Sequence, residues 1–222
     1  NNGKINIAST ATNSIGVYVG NRSTGTGTGD ITIDGNGNAG VANFGTFNQT
    51  GGTIDVSGKD SIGIYAKDSS SSTTITGSTV NAKNGAVAFY ADGSSGNEST
   101  ITLNNVTSNI GDGGLLFFNY TGTLPGQVGK FNISGPTTVN ILSGGVAFYN
   151  SGIIGSEATF LNMVNGNNLT LNMSSGSRLF VFDNPAITEN LSSIPSLGGV
   201  PSISNSSGTA TITVNGSDYK YM

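Results

Sequence analysis

Cysteine, histidine and tryptophan are absent from this chain, and only 9% of its residues are charged, against an ordinary share of about 25%. Without histidine or cysteine there is no Ser-His-Asp or Cys-His device, and zinc would have to be held by carboxylates alone. A chain with no cysteine also needs no oxidant and cannot be trapped by a wrong disulfide. That suits a polypeptide which crosses a membrane unfolded and folds outside a bacterium. The eight Lys and Arg are scattered and the net charge is −4, so nothing offers nucleic acid a basic patch. No run approaches the ~18 apolar residues of a membrane-spanning helix, and no membrane insertion by this segment is expected. The opening NNGKINIAS has none of the marks of a signal peptide, so a mature or trimmed piece is expected.

What is present is Gly, Asn, Ser and Thr, with 35% hydrophobic residues, too many and too regular for a disordered chain. Seven short apolar bursts end in an aromatic: SIGVY (14–18), AGVANF (39–44), SIGIY (61–65), GAVAFY (85–90), GLLFF (114–118), GGVAFY (144–149) and RLFVF (178–182). The closing residues are Tyr18, Phe44, Tyr65, Tyr90, Phe118, Tyr149 and Phe182, spaced 26, 21, 25, 28, 31 and 33 apart. A loose period in the twenties, with loops of variable length, marks a solenoid whose repeats bury their apolar sides only by stacking.

Ahead of each burst stands a segment of strict alternation: KINIA (4–8), DITID (30–34), TIDVS (53–57), STVNA (78–82), NVTSN (105–109), TVNIL (138–142) and LTLNM (169–173). Inward Ile, Val or Leu alternates with outward Asn, Thr or Asp, the period of a half-buried strand. A third strand follows the burst in TTIT (73–76), TITLN (100–104), KFNIS (130–134) and TFLNM (159–163). Helical periodicity is not found. The pattern predicts an all-β chain, a right-handed parallel β-helix of about seven coils with three short strands per coil. Gly and Asn at the corners would supply positive φ. At ~4.8 Å per coil the rod would be about 34 Å long. Residues 1–222 read as one β-helix segment of a longer rod, with 183–208 as a long loop insertion.

Within the bursts Val17, Ile64, Val87, Phe89, Phe117, Phe148 and Val181 match the inward positions. Alternation then sends Tyr18, Tyr65, Tyr90, Phe118, Tyr149 and Phe182 outward, one above the next. This column is either a platform for sugar rings or a partner protein, or a ladder that stacks on itself, or simply core. The irregular stretches 21–29, 67–72, 91–99, 121–129, 151–157 and 184–208 all follow the aromatic strand. They either form a binding face or have lengthened because loops cost little.

Other motifs fail. GNGNAG (35–40) fits a dinucleotide fingerprint, but a second strand follows it where a helix is required. DGNGNA (34–39) begins like a calcium loop, yet it lacks the sixth-position Gly and has Gly45 where the closing Glu belongs. Asp30, Asp34, Asp55 and Asp60 come nearest to a catalytic carboxylate set, and solvated turns account for them. The sequence therefore predicts no catalytic residue, no metal site, no cofactor and no enzyme.

The units IGVY (15–18) and IGIY (62–65), with GAVAFYADG (85–93) and GGVAFYNSG (144–152), resemble passenger domains of classical (type V) autotransporters. They are most similar to the large fusobacterial surface adhesins and more distantly to vacuolating-toxin-like passengers. The resemblance covers most of residues 1–182. It implies display on the bacterial surface, outside the outer membrane or secreted, and adhesion to a protein or glycan of host cells or other bacteria. The expectation is a monomeric stalk presenting binding loops. The alternatives are a β-helical polysaccharide-acting enzyme and a toxin-like passenger.

Overall fold

In the computed structural model the described residues are 2–67, 71–94, 99–121, 127, 129–152 and 169–182, together with strands at 203–205, 210–214 and 217–221. Alternation acts as anticipated: each period-two segment forms a strand that pairs in parallel with its equivalent one repeat later. Among the described residues there are twenty-two strands and no helix. The first sheet runs through eight repeats. It contains β1 (Ile5–Ile7), β4 (Ile31–Ile33), β7 (Thr53–Val56), β10 (Thr79–Ala82), β13 (Thr107–Ile110), β16 (Thr137–Ile141), β18 (Leu169–Met173) and β20 (Ile203–Asn205), in that order. The aromatic bursts build the second sheet from β2 (Ile15–Val19), β5 (Ala39–Asn43), β8 (Ile62–Lys67), β11 (Val87–Asp92), β14 (Leu115–Thr121), β17 (Val146–Gly152), β19 (Arg178–Phe182) and β21 (Ala210–Val214). At its edge β22 (Ser217–Tyr221) folds back antiparallel on β21, a departure from an all-parallel stack. The third sheet holds β3 (Thr24–Gly27), β6 (Thr46–Thr50), β9 (Ser72–Thr76), β12 (Ser99–Asn104) and β15 (Gly129–Ile133).

The chain is thus a parallel β-solenoid, and the coil count needs correction. Among the described residues five coils carry all three strands, against the seven expected. Two third-sheet strands, β3 and β6, were not anticipated, and β3 lies inside the stretch 21–29 that reads as loop. The strands also run into the other stretches. β8 reaches Lys67, β11 reaches Asp92, β14 reaches Thr121, β17 reaches Gly152, and Ile203–Asn205 is a strand within 184–208. TFLNM (159–163) and the rest of 183–208 lie outside the described residues.

In seven described coils the chain turns from the first sheet into the second through a left-handed residue at a fixed register, preceded by a second one, Asn84 or Asp112, at two of them. The fixed-register residues are Asn13 (φ 52°), Gly37 (65°), Asp60 (57°), Gly85 (78°), Gly113 (77°), Gly144 (76°) and Gly176 (76°). Two residues later β2, β5, β8, β11, β14, β17 and β19 begin. GNGNAG is one of these corners, between β4 and β5, and Asp60 occupies another.

Side chains from the three sheets meet in one core. Ile33, Val56, Ala82, Ile110, Ile141 and Met173 line up from the first sheet, all buried. The second sheet adds Val41, Ile64, Phe89, Phe117 and Phe148. Phe117 stacks on Phe89 at 5.7 Å and on Phe148 at 5.1 Å, and lies 4.3 Å from Phe131 of the third sheet. Ala88 and Phe89 are both fully buried, so strict alternation breaks inside the burst. Of the anticipated inward residues, Val181 is displaced: it stands opposite Tyr149, while Phe180 stands opposite Phe148.

Some buried positions are polar, Ser108 among them. Ser108 faces inward between Val80 and Val139, and its Oγ is buried without a hydrogen-bond partner. An unsatisfied buried hydroxyl costs about 1–3 kcal/mol. Ser108→Val should therefore raise the thermal midpoint by about 2–4 °C for each kcal/mol recovered. Differential scanning calorimetry checks this, and a lowered midpoint would show that the hydroxyl is needed.

Candidate functional site

The outward aromatics do form a column on the second sheet. Register places Tyr18, Ala42, Tyr65, Tyr90, Phe118 and Tyr149 one above the next. Ala42 leaves a gap in this series, and Phe44 fills it from two residues further on. Its ring lies 5.3 Å from Tyr18 and 6.1 Å from Tyr65. The column continues through Tyr65–Tyr90 at 5.0 Å, Tyr90–Phe118 at 4.6 Å and Phe118–Tyr149 at 5.0 Å. Phe182 is one residue out of the register expected for it. It stands opposite Asn150, and Val181 takes the position opposite Tyr149.

The rings spend much of their area on each other. Tyr18 is 65% exposed, while Phe44, Tyr65, Tyr90, Phe118 and Tyr149 are half-buried. Offset and edge-to-face pairs at these distances stabilise by about 0.5–1.5 kcal/mol each beyond area burial. The column is therefore a self-stacking ladder that points outward. Its outer edges, not its ring faces, are what a partner would meet.

Beside the ladder the second sheet carries a charged cluster. Lys67, Asp92 and Tyr120 occupy one register position on successive coils. The Tyr65 hydroxyl donates to Asp92 Oδ2 at 2.7 Å, and Lys67 Nζ lies 3.3 Å from the same oxygen. Asp92 Oδ1 accepts from the Ser94 backbone N–H at 2.9 Å and from its hydroxyl at 2.5 Å. Burial alone would push the Asp92 carboxyl up. The Ser94 and Tyr65 hydrogen bonds and the Lys67 ammonium outweigh it and hold the group below its usual range. Burial, then the Asp92 charge and Tyr120, push the Tyr90 phenol well above its ordinary value, so this rung stays neutral and hydrophobic.

The sign of the Asp92 effect on stability follows directly. Its folded pKa lies below the unfolded value of about 3.9. Its contribution is complete above that pH and is lost as pH falls through the folded value. Below about pH 4 the parent should lose stability faster than Asp92→Asn does. Urea denaturation at stepped pH measures this, and parallel slopes would contradict it.

Of the four carboxylates singled out in the sequence, Asp34 and Asp55 line one groove on adjacent coils. Asp30 accepts from the Thr53 backbone N–H at 3.0 Å, and its Oδ2 lies 3.6 Å from Lys4 Nζ. Asp34 accepts from the Ser57 hydroxyl at 2.7 Å. Asp55 begins a ladder that the sequence did not announce. Asn81 Nδ2 donates to Asp55 at 2.5 Å, Asn109 to Asn81 at 2.7 Å, Asn140 to Asn109 at 2.8 Å, and Asn172 to Asn140 at 2.9 Å. The signal that could have found it is T-x-[DN] on five first-sheet strands. Thr53, Thr79, Thr107, Thr138 and Thr170 form a parallel rank two residues away. Among the described residues no group of three or more Asp and Glu could hold a metal ion.

No protein-family model matches the chain, and neither a curated protein nor a solved structure does.

Proposed function

We propose that this chain is the adhesive stalk of an autotransporter-type passenger, displayed outside the outer membrane of a bacterium. It would act as a monomer, without cofactor or catalysis, on a protein or glycan of host cells or neighbouring bacteria. The observation that carries this reading is the outward aromatic ladder on an uninterrupted parallel stack. A rod whose coils all bond to their neighbours is stiff. Insertions at one point of each repeat leave its core intact, so one face can specialise. Rigid rings offer apolar area at little entropic cost. The face concerned is the ladder edge with Lys67, Asp92 and Tyr120 and the segments that follow it.

A second reading, a polysaccharide-acting enzyme, is favoured by one observation: Asp34, Asp55 and Asp112 line one groove. Against it, Asp34 and Asp55 already serve Ser57 and Asn81 as acceptors. No reducing ends should be released from polysaccharides incubated with the chain. Release that one Asp→Asn substitution abolishes would establish the enzyme instead.

A cell-binding assay with labelled chain, run beside a glycan array, tests the adhesive reading. Saturable binding is expected. It should weaken in the triple variant Tyr65→Leu, Tyr90→Leu, Tyr149→Leu, which keeps apolar bulk but removes the rings. Absence of binding by the parent, or full binding by the triple variant with its strand content intact, would overturn it.

A further inference from the structure

A groove of about 480 Å³ lies on the first-sheet side of the rod, away from the aromatic ladder. It is lined by Thr32, Asp55, Asn81, Asn109 and Leu142, which belong to or directly follow β4, β7, β10, β13 and β16. The groove therefore crosses five coils, four steps of ~4.8 Å or about 19 Å along the axis. Its wall repeats at that step. In the asparagine ladder each of Asn81, Asn109 and Asn140 uses one N–H and one oxygen lone pair on its neighbours. An amide has two of each, so a ligand meets one further donor and one further acceptor per coil. Leu142, 47% exposed, stands as an apolar edge of the groove.

We infer that this groove binds a neutral, β-1,4-linked linear polysaccharide lying parallel to the rod axis. The coil step is close to the rise of one pyranose unit in an extended β-linked chain, and because each unit is turned by about half a turn from the last, every second sugar meets every second amide in the same way. Hydroxyls suit the alternating donors and acceptors, and the C–H faces of the rings suit the Leu142 edge. α-1,4-Linked glucans curl and lose that match after one or two units. The groove carries Asp34, Asp55 and Asp112 against Lys83, a negative balance that disfavours uronic and sulfated chains. This site is independent of the adhesive reading of the aromatic ladder.

Isothermal titration of the whole chain with cellohexaose, chitohexaose, maltohexaose and a hexagalacturonate tests the proposal. At least one β-1,4 probe should bind saturably, and maltohexaose and the galacturonate should not. Leu142→Ser and Asn109→Ala should each weaken binding by about tenfold. Thr24→Ala, at an exposed position of the third sheet, should leave it unchanged. Leu142 is exposed, so its variant folds whatever the fate of the ladder variant. No heat with either β-1,4 probe, equal affinity for maltohexaose, or affinity unchanged in both groove variants would overturn the assignment.

Discussion

Replacing Phe117 by alanine is expected to destabilise the rod by about 3–5 kcal/mol, the largest single effect in the described core. Phe117 is 1% exposed and its ring touches Phe89 below, Phe148 above and Phe131 across the core. Removing it opens a cavity between three rings held on three separate strands of a hydrogen-bonded stack. The backbone there cannot collapse, because its spacing is fixed by the coils on either side. In a solenoid the damage should also be local, since each repeat contacts only its neighbours. Hydrogen exchange should show lost protection in β11, β14, β15 and β17, with β4 and β7 still protected. Uniform loss across all strands would mean that the stack melts as one unit.

The second large effect belongs to a residue with no side chain. Gly58 follows β7 at a corner where a Cβ would run into the carbonyl oxygen of Gly35, one coil below. That oxygen is backbone and cannot rotate away, so the two coils would have to separate. Gly58→Ala is expected to cost about 3 kcal/mol, the upper part of the usual range for overpacking. Thermal denaturation measures it. A midpoint within a degree or two of the parent would show that the coils part more easily than their bonding suggests.

How far the sequence foretold this molecule depends on which force fixes each element. The first-sheet strands were legible because Ile, Val and Leu alternate with Thr, Asn and Asp, and water selects the face. β3 was not, because its inward positions are Gly25 and Gly27. A Cβ on Gly25 would press on Phe47, and one on Gly27 would meet Gln49, so larger side chains of the next coil occupy that space. A strand whose core is supplied by its neighbour has no apolar pattern of its own. The register of Phe182 was missed for a related reason. Counting back from the last aromatic sets the register one residue wrong, whereas the left-handed corner residue lies two before each of the strands from β2 to β19 in this sheet and sets it correctly. Phe44 shows the opposite case, an aromatic two residues beyond the column position that still joins the ladder because Ala42 leaves room. The asparagine ladder was hidden in plain composition: alternation shows that Asn81 and Asn109 point outward, but only the coil register shows that they bond to each other.

The absence of cysteine makes the central claim, coil-upon-coil register, open to a direct chemical test. Thr79 and Thr107 are register partners on β10 and β13, and adjacent strands lie ~4.8 Å apart, within the Cα separation a disulfide needs. In the double variant Thr79→Cys, Thr107→Cys the two thiols are the only ones in the molecule. Mild oxidation should convert them to an intramolecular disulfide, read by mass spectrometry and by loss of thiol titre. In Thr79→Cys, Thr138→Cys the partners sit two coils apart, about 9.6 Å, and no intramolecular bond should form. Rapid bridging of the first pair with none in the second is the predicted result. Equal bridging of both, or failure of the first in a folded chain, would contradict the stacked register on which the ladder, the groove and the adhesive face all depend.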